Sequence, residues 1–152
     1  MYFWGGGMSL ELKIEGMAEL QAALRRASAE AQEAVGVAVI GTAMELRGDI
    51  VKRIQDGPAT GRIYVRGGVE HQASSGEAKE APASDTGRLA GSVIFDKTGP
   101  MSATVGSDLV YAAVLEFGSG RIDPRPAWVP AIEKITPKYI ARLERALRGS
   151  LR

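Results

Sequence analysis

The length and composition of the chain are those of one ordinary folded domain. Its 152 residues are 45% hydrophobic and 24% charged, which favours neither a disordered chain nor a membrane-spanning one. Because the chain has no cysteine, disulfides, thiol nucleophiles and thiolate metal sites are excluded. A formal net charge of +1 argues against a dedicated nucleic-acid binder, whose affinity rests on phosphate contacts.

The chain opens with an arm, a strand and a long helix. Residues 1–8, MYFWGGGM, are aromatic and then glycine-rich, and we expect a flexible arm before a single domain at residues 9–152. Apolar and charged residues alternate from Ser9 to Glu15, which predicts a strand with one buried face. From Met17 to Gln55 apolar residues recur at three- and four-residue steps, which predicts an amphipathic helix that, if unbroken, would be about 58 Å long.

This helix is predicted to be longer than one small sheet can cover, so part of it should pack against another subunit. Three glycines lie within it, and each costs about 1 kcal/mol relative to alanine in a helix interior. We expect Gly36, Gly41 and Gly48 to mark a kink or a close helix contact, with Gly36 and Gly41 admitting a neighbouring subunit. Asp56-Gly57-Pro58 should end the helix.

The second half predicts a loop, a hairpin and a last helix. Residues 57–90 lack a clear hydrophobic periodicity, which predicts a long loop. Within it, Ile63 to Val65 could form a short strand. Ser92 to Phe95 and Ser102 to Val105 read as an antiparallel hairpin. A helix should begin at Pro130 or later and be kinked or delayed by Pro137. The fold class is therefore α+β, with a long N-terminal helix and a C-terminal helix packed on a small, mainly antiparallel sheet.

The residues that could carry catalysis do not form a recognisable set. His71, the only histidine, lies in the loop without a second histidine or a carboxylate at a metal or acid–base spacing, so we expect a solvated side chain. The Gly-Arg segments have neither the Walker spacing nor a strand-GxGxxG-helix setting, so turn chemistry explains them better than phosphate binding. We expect no enzymatic activity, no cofactor and no metal site.

Two residues near the C-terminal third should be structurally important. Glu116 stands among apolar neighbours, and we expect that it either faces water or meets an arginine such as Arg88 or Arg125. Trp128 should be a packing anchor, because an indole buries a large area.

The last helix also carries a row of basic residues. The prediction is a solvated basic face opposite the apolar one, with a DNA- or partner-facing stripe as the alternative. Its members are Lys134, Lys138, Arg142, Arg145 and Arg148.

Two motifs resemble a bacteriophage family. The stretch from Val110 to Pro130 combines a short helical turn with a stiff, proline-containing strap. It is similar to the tail-component family of lambdoid and other long-tailed phages in Tyr111, Ala112, Glu116, Phe117, Gly118, Arg125, Pro126, Trp128, Pro130 and Ala131. Asp85-Thr86-Gly87-Arg88-Leu89, followed by Ser92-Val93-Ile94, resembles the sequence that leads into the family's first hairpin. The order of elements agrees from about Leu10 onward, although Ala127-Trp128 replaces the usual phenylalanine-leucine pair.

The resemblance implies a structural protein of a phage or prophage virion. It would form a homo-oligomeric ring, with a hexamer preferred, in the head-to-tail neck and complete the tail for head joining, after assembly in the host cytoplasm. Its partners would be further copies of the same chain and the neighbouring neck and tail-tube proteins. It could also contact the DNA in the channel without sequence preference, and it would not contact a membrane. The alternatives are a tail-terminator subunit that caps the tail tube and a small DNA-binding module. The candidate assembly residues are Arg88, Tyr111, Glu116, Phe117, Arg125, Pro126 and Trp128.

Overall fold

A computed structural model describes residues 10–11, 28–72 and 80–150 of the chain. The fold is α+β, as predicted, with two long helices and small antiparallel sheets. In chain order the elements are β1 (Leu10–Glu11), α1 (Ala29–Gln55), β2 (Ile63–Arg66), β3 (Val69–Gln72), α2 (Arg88–Gly91), β4 (Val93–Gly99), β5 (Ser102–Ser107), α3 (Val110–Phe117) and α4 (Trp128–Ser150). The N-terminal arm and the beginning of the predicted long helix lie outside the described residues.

Helix α1 begins at Ala29, so the prediction of one unbroken helix from Met17 was wrong. Ser28 has extended backbone angles (φ −60°, ψ 157°), and its hydroxyl accepts a hydrogen bond from the Ala31 N–H at 3.3 Å. A serine in this geometry is a typical N-cap, because its oxygen satisfies a backbone donor that the helix leaves free. The 27 residues of α1 span about 40 Å and end at Asp56, as predicted.

The described part of α1 buries two successive groups of apolar side chains. Val35 and Val39 pack with residues of the second half of α4, including Tyr139, Leu143 and Leu147, and with Met101. Further along, α1 joins the main core, which also contains residues of α2, β4, β5, α3 and the start of α4. Its buried members are Leu46, Ile50, Ile54, Leu89, Ala90, Val93, Val105, Ala112, Ala127, Trp128, Ala131 and Ile135.

The predicted hairpin supplies two strands of a three-stranded antiparallel sheet with the order β1-β5-β4, in which β5 is central. The turn at its tip explains one glycine of α1. A Cβ atom on Gly36 would lie 2.6 Å from the Pro100 carbonyl oxygen, a distance that real Cβ atoms essentially never show. Gly36 therefore allows the hairpin of its own chain to approach α1, and the prediction that it admits a neighbouring subunit was wrong.

Within the described residues, strand β4 is an edge strand of this sheet. Helix α1 forms a hydrogen bond with it. The Arg47 guanidinium donates a hydrogen bond to the Val93 carbonyl oxygen at 2.8 Å. The contact joins the C-terminal half of α1 to the first residue of β4, so helix and strand are fixed by a polar bond as well as by the apolar core.

The region predicted as a long loop contains a second hairpin. Strands β2 and β3 pair antiparallel, with Tyr64 opposite His71 and Val65 opposite Glu70. The prediction of a short strand at Ile63 to Val65 was correct, but its partner β3 was missed. An isolated two-stranded hairpin is marginally stable in water, so its contacts with the rest of the chain are important.

Helix α4 starts two residues earlier than predicted and runs through Pro137 to Ser150. Pro130 lies in the first turn, where its missing N–H removes no helical hydrogen bond. Before Pro137, the Thr136 hydroxyl donates to the Ile132 carbonyl oxygen at 2.7 Å, a local bond that often accompanies bending of a helix. Among the described helices, none is long and apolar enough to cross a membrane.

Candidate assembly surface

Helix α3 ends at a glycine that the following turn requires. Gly118 has φ 75° and ψ −177°, a backbone conformation that residues with a side chain rarely adopt. Its N–H donates to the Val114 carbonyl oxygen at 2.8 Å. A Cβ atom at Gly118 would also lie 2.9 Å from the Ile122 carbonyl oxygen and 3.0 Å from Cδ of Pro124. Backbone conformation and available space both favour glycine at this position.

The segment between α3 and α4, residues 118–127, is the strap, and backbone hydrogen bonds hold it against α3. The Ser119 N–H donates to the Ile122 carbonyl oxygen at 2.8 Å, which closes a tight turn. The Arg125 N–H then donates to the Leu115 carbonyl oxygen of α3 at 2.6 Å. The chain is thus folded back along α3 before α4 begins.

Glu116 of α3 caps the N-terminus of α4. Its carboxylate is only 3% exposed and accepts three hydrogen bonds from the backbone. Oε2 accepts from the N–H groups of Ala127 at 2.8 Å and Trp128 at 3.0 Å, and Oε1 accepts from Val129 at 2.7 Å. The next residue, Pro130, has no N–H, so one carboxylate satisfies the consecutive free donors at the start of this helix.

This arrangement replaces the cap that the local sequence lacks. Ala127 precedes the helix and has no side-chain oxygen to accept a hydrogen bond, whereas typical N-cap residues do. A negative charge at a helix N-terminus is also favoured by the helix dipole. Glu116 therefore neither faces water nor pairs with Arg88, Arg125 or another arginine of the described residues, and both predicted environments were wrong.

Trp128 lies in the main core, in agreement with its predicted role as a packing anchor. Its side chain is 2% exposed and belongs to the same cluster as Ile50 and Ile54 of α1. Its indole nitrogen is buried and has no hydrogen-bond partner within the described part of the chain. The indole therefore contributes through apolar packing, and it couples the strap to the long helix.

Five apolar side chains of α3, the strap and the first turn of α4 are exposed to solvent. We call this surface the strap face. Tyr111 and Phe117 of α3 are 40% and 41% exposed. The other members, each more than one third exposed, are Val110, Ile122 and Val129. Exposed aromatic and branched side chains on a fixed backbone are typical of protein–protein contact surfaces.

The remaining predicted assembly residues lie at different depths. Arg88 is exposed on α2, and its backbone N–H donates a hydrogen bond to the Thr86 hydroxyl at 3.4 Å. Arg125 and Pro126 are half-buried in the strap. Nη1 of Arg125 is buried without a hydrogen-bond partner among the residues described. Glu116 and Trp128, by contrast, are too deeply buried to contact another subunit directly.

The predicted basic stripe is largely an intramolecular contact. Lys134 forms an ion pair with Asp49 of α1, and Lys138 contacts Glu45 at 2.8 Å. Arg142 bonds Glu45 at 2.5 Å and the Thr42 hydroxyl at 3.2 Å. Lys134 and Lys138 remain 54% and 52% exposed, as a solvated face predicts, but the ion pairs of all three residues with α1 were not predicted. They face the acidic side of α1 and join the two long helices.

The charges of this contact shift the pKa values of both acids. Hydrogen bonds from Lys138 and then from Arg142 hold the pKa of Glu45 below its ordinary value of 4.5. Burial raises the pKa of Asp49, but the hydrogen bonds from Lys134 and Arg53 outweigh burial and lower the pKa below 3.8. Both carboxylates are therefore stabilised in the charged form.

The last two residues of the basic stripe, Arg145 and Arg148, are exposed to solvent. Arg148 lies 3.8 Å from Glu144 one turn away, with both side chains exposed, so this pair contributes little to stability. Arg145 is exposed and borders a shallow groove between α1 and α4, together with Arg142 on the same side and Glu30 and Glu33 on the other.

A polar cluster around Asp85 was missed in the sequence. The Tyr64 hydroxyl donates to Oδ2 of Asp85 at 2.9 Å, and His71 Nδ1 contacts Oδ1. The rings of Tyr64 and His71 stack with centroids 5.5 Å apart. The hydrogen bond from Tyr64 is the main cause that lowers the pKa of Asp85, and the same bond raises the pKa of Tyr64. The prediction of a solvated, unpartnered His71 was wrong, because the β2–β3 pairing brings it beside a carboxylate that is 14 residues away in the sequence.

The geometry described so far consists of capping, packing and ion-pair contacts. Within the described ranges, no group of three or more histidine, aspartate and glutamate side chains could hold a metal ion. The features that stand out are a rigidly capped strap, an apolar strap face and two ion-paired helices. These features define a small α+β protein whose surfaces are suited to assembly.

Comparison with protein families identifies the class to which this subunit belongs. Residues 18–118 match the family model HK97-gp10_like, described as "Bacteriophage HK97-gp10, putative tail-component". The match covers about two thirds of the chain, and the chain therefore belongs to this family of phage tail components. It includes Asp85 to Leu89 and all of α3, whereas Arg125, Pro126 and Trp128 lie beyond its end. Searches of curated proteins and of solved structures gave no match.

Proposed function

We propose that this tail component forms a ring of identical subunits in the neck of the virion and completes the tail for joining to the head. The strap face carries the proposal, because it offers exposed apolar side chains on a backbone fixed by Gly118, Glu116 and Trp128. A surface that is already ordered loses little conformational entropy when a neighbour binds. The protein acts by assembling, without catalysis, cofactor or metal.

A closed ring suits a surface of this kind. A head-to-tail contact between identical subunits covers every copy of the surface when the ring closes, and it leaves no free end. Sixfold symmetry is the preferred arrangement, because it would match a sixfold tail tube. The partners would then be further copies of this chain, the neck and tail-tube proteins above and below, and, without sequence preference, the DNA in the channel. Subunits would meet in the host cytoplasm before they enter the virion.

Deletion and complementation in a phage that carries the gene test this proposal. Without the protein, we expect DNA-filled heads and unattached tails in electron micrographs, and an antibody should label the head–tail junction of wild-type particles. Phe117→Ser should fail to complement, because it removes an exposed apolar member of the strap face. Val65→Ser is the matched control, since Val65 is also exposed and apolar but lies on the β2–β3 hairpin.

The same deletion experiment distinguishes tail completion from the alternative role, termination of the tail tube. A tail-terminator subunit stops growth of the tail tube, so its loss should give tubes longer than normal. Overlong tubes would replace the completion role with termination. Normally joined particles without the protein, or antibody label only on the capsid shell, would overturn both roles.

A DNA-binding module receives less support from the structure. Lys134, Lys138 and Arg142 are engaged with acidic groups of α1, so only Arg145 and Arg148 of the stripe remain for phosphate contacts. Two such contacts give a shallow salt dependence. Specific DNA binding that weakens steeply with salt would contradict this view.

A further inference from the structure

The outer face of α1, opposite its buried side, carries a row of small and apolar residues. They are spaced alternately three and four positions apart, which is the spacing of the contact seam in a coiled coil. We call these residues the outer row: Ala34, Val37, Gly41, Met44 and Gly48. Val37 is 68% exposed and Met44 is 58% exposed. A Cβ atom built on Gly41 or on Gly48 would meet nothing within 4 Å.

Two glycines in an exposed helix interior need an explanation. Each destabilises α1 by about 1 kcal/mol relative to alanine, and no contact within the described part of the chain uses the space that they leave. Gly36, on another side of the same helix, is explained by its close contact with Pro100. Gly41 and Gly48 have no such contact with the residues that the structure describes, and we infer that their open space admits another molecule.

We propose that the outer row binds the outer row of a second copy of this chain, with the two α1 helices antiparallel about a twofold axis. This pairing goes beyond the ring, because it concerns the free subunit before assembly. One alignment places Val37 opposite Gly48 of the second copy and Met44 opposite Gly41 of the second copy. Each large side chain then meets a glycine, and the twofold axis repeats both contacts. The row is thus complementary to itself in size, which favours a second copy over an unrelated partner.

The charges at the two ends of α1 select the antiparallel direction. Glu30 and Glu33 lie near the N-terminal end, and the exposed Lys52 lies near the C-terminal end. A parallel pair would bring the glutamates of both copies together, whereas an antiparallel pair brings each acidic end close to a lysine. The helix dipoles also attract in this direction.

The groove beside the outer row adds a second charge match. Arg145 of α4 lines this groove close to Glu30 and Glu33. In the proposed alignment, the C-terminal end of the second copy's α1 lies over this groove, with its exposed Asp56 and the partial negative charge of the helix end. Arg145 can therefore bind Asp56 of the second copy, while Lys52 of that copy, which also pairs with Asp56 at 2.6 Å in its own helix, lies opposite Glu33.

Cysteine cross-linking tests both the pairing and its direction. The chain has no native cysteine, so single substitutions report one contact each. Val37→Cys mixed with Gly48→Cys should give a disulfide-linked dimer under mild oxidation. Val37→Cys alone should not, because in this alignment its two copies lie about 16 Å apart along the helices, too far for a disulfide. Val65→Cys mixed with Gly48→Cys is the control and should remain unlinked.

Analytical ultracentrifugation gives an independent test with a variant that should fold. Gly41→Leu fills the space needed by Met44 of the second copy, and its Cβ atom meets nothing within 4 Å among the described residues. We expect a dimer for the wild type, a monomer with unchanged helix content for Gly41→Leu, and a dimer for Gly149→Leu, an equally open glycine of α4. Glu30→Lys with Glu33→Lys should weaken the dimer at least tenfold, and adding Lys52→Glu should restore part of the loss.

Several outcomes would overturn the twofold pair. They are a wild-type protein that is monomeric at every concentration, self-linking of Val37→Cys, and cross-linked species larger than dimers. The last result would assign the outer row to the ring itself. The test of the ring uses particle morphology and is read separately, so failure of one proposal does not imply failure of the other.

Discussion

Oε2 of Glu116 lies 2.8 Å from the backbone nitrogen of Ala127, a residue that stands eleven positions further along the chain. The bond connects the last turn of α3 to the first turn of α4 across the strap. A side chain of one helix thereby serves as the N-cap of the next, and the length of the strap is fixed by this contact.

Removal of this cap should destabilise the subunit. Glu116→Ala leaves three backbone donors at the start of α4 without an acceptor, and we expect the free energy of unfolding to fall by about 3 kcal/mol. Glu116→Gln keeps one carbonyl acceptor and should lose less. Denaturant unfolding monitored by circular dichroism measures both. Glu133→Ala, at an exposed position of α4, is the control, and equal midpoints for the three variants would contradict the capping role.

Truncation of Trp128 should have the largest effect of any substitution in the strap region. Trp128→Ala opens a cavity in the main core and should cost about 3–5 kcal/mol of stability, a large fraction of the total for a small domain. Trp128→Phe should recover much of this loss, because the indole nitrogen has no partner within the residues described. Thermal unfolding gives the comparison. A melting temperature of Trp128→Ala within a degree or two of the wild type would show that the indole is not a core anchor.

Alanine at Gly118 should strain the turn after α3. The added methyl group requires an unfavourable backbone conformation and approaches Ile122 and Pro124, so we expect a loss of about 2 kcal/mol. Gly120→Ala, two residues along the same turn, meets nothing within 4 Å and should be nearly neutral. Chemical denaturation of the two variants provides the measurement. A neutral Gly118→Ala would mean that the strap follows another path.

Acid should weaken the contact between α1 and α4. The folded-state pKa values of Glu45 and Asp49 are lowered, so their stabilisation is fully present above the ordinary carboxyl pKa values of 4.5 and 3.8. It is lost as the pH falls from that range through the lower folded values. Unfolding free energies measured at a series of pH values should show this decrease. Glu45→Gln should flatten the profile, and an unchanged slope would show that Glu45 does not contribute.

Loss of Asp85 should release the β2–β3 hairpin. Asp85→Ala removes the acceptor for Tyr64 and the partner of His71, so amide protons of Ile63–Arg66 should exchange with solvent faster. Hydrogen exchange followed by mass spectrometry measures the rate segment by segment. Asp96→Ala, an exposed carboxylate on β4, should leave the hairpin unchanged. Equal protection in both variants would show that other contacts hold the hairpin.

The sequence predicted the elements whose periodicity is local. Alternation was enough to identify the hairpin of β4 and β5, and three- and four-residue steps identified both long helices. The apolar side of α4 that packs in the structure includes Ile135 and Tyr139, four residues apart on one face of the helix. The start of α1 was placed too early because the three- and four-residue apolar steps continue upstream of Ser28. A serine is a common N-cap residue, and Ser28 accepts a hydrogen bond from the Ala31 N–H.

Other features depend on residues that are distant in the sequence. Strand β3, with the sequence VEHQ, has no apolar alternation, and its contact with Asp85 arises only after the hairpin folds back. The role of Glu116 could not be found from spacing, because its donors are backbone groups of another helix. The ion pairs of Lys134 and Lys138 likewise require that α4 lies along α1.

The bond between Arg47 and the Val93 carbonyl oxygen also bears on how the subunit survives at high concentration before assembly. An uncovered edge strand can add the strand of another chain and begin an aggregate. By occupying a carbonyl group at the start of β4, Arg47 removes one of the acceptors that such an added strand would need. The helix thus protects the sheet from growth in the wrong direction and leaves ordered contacts on the helices free to direct association.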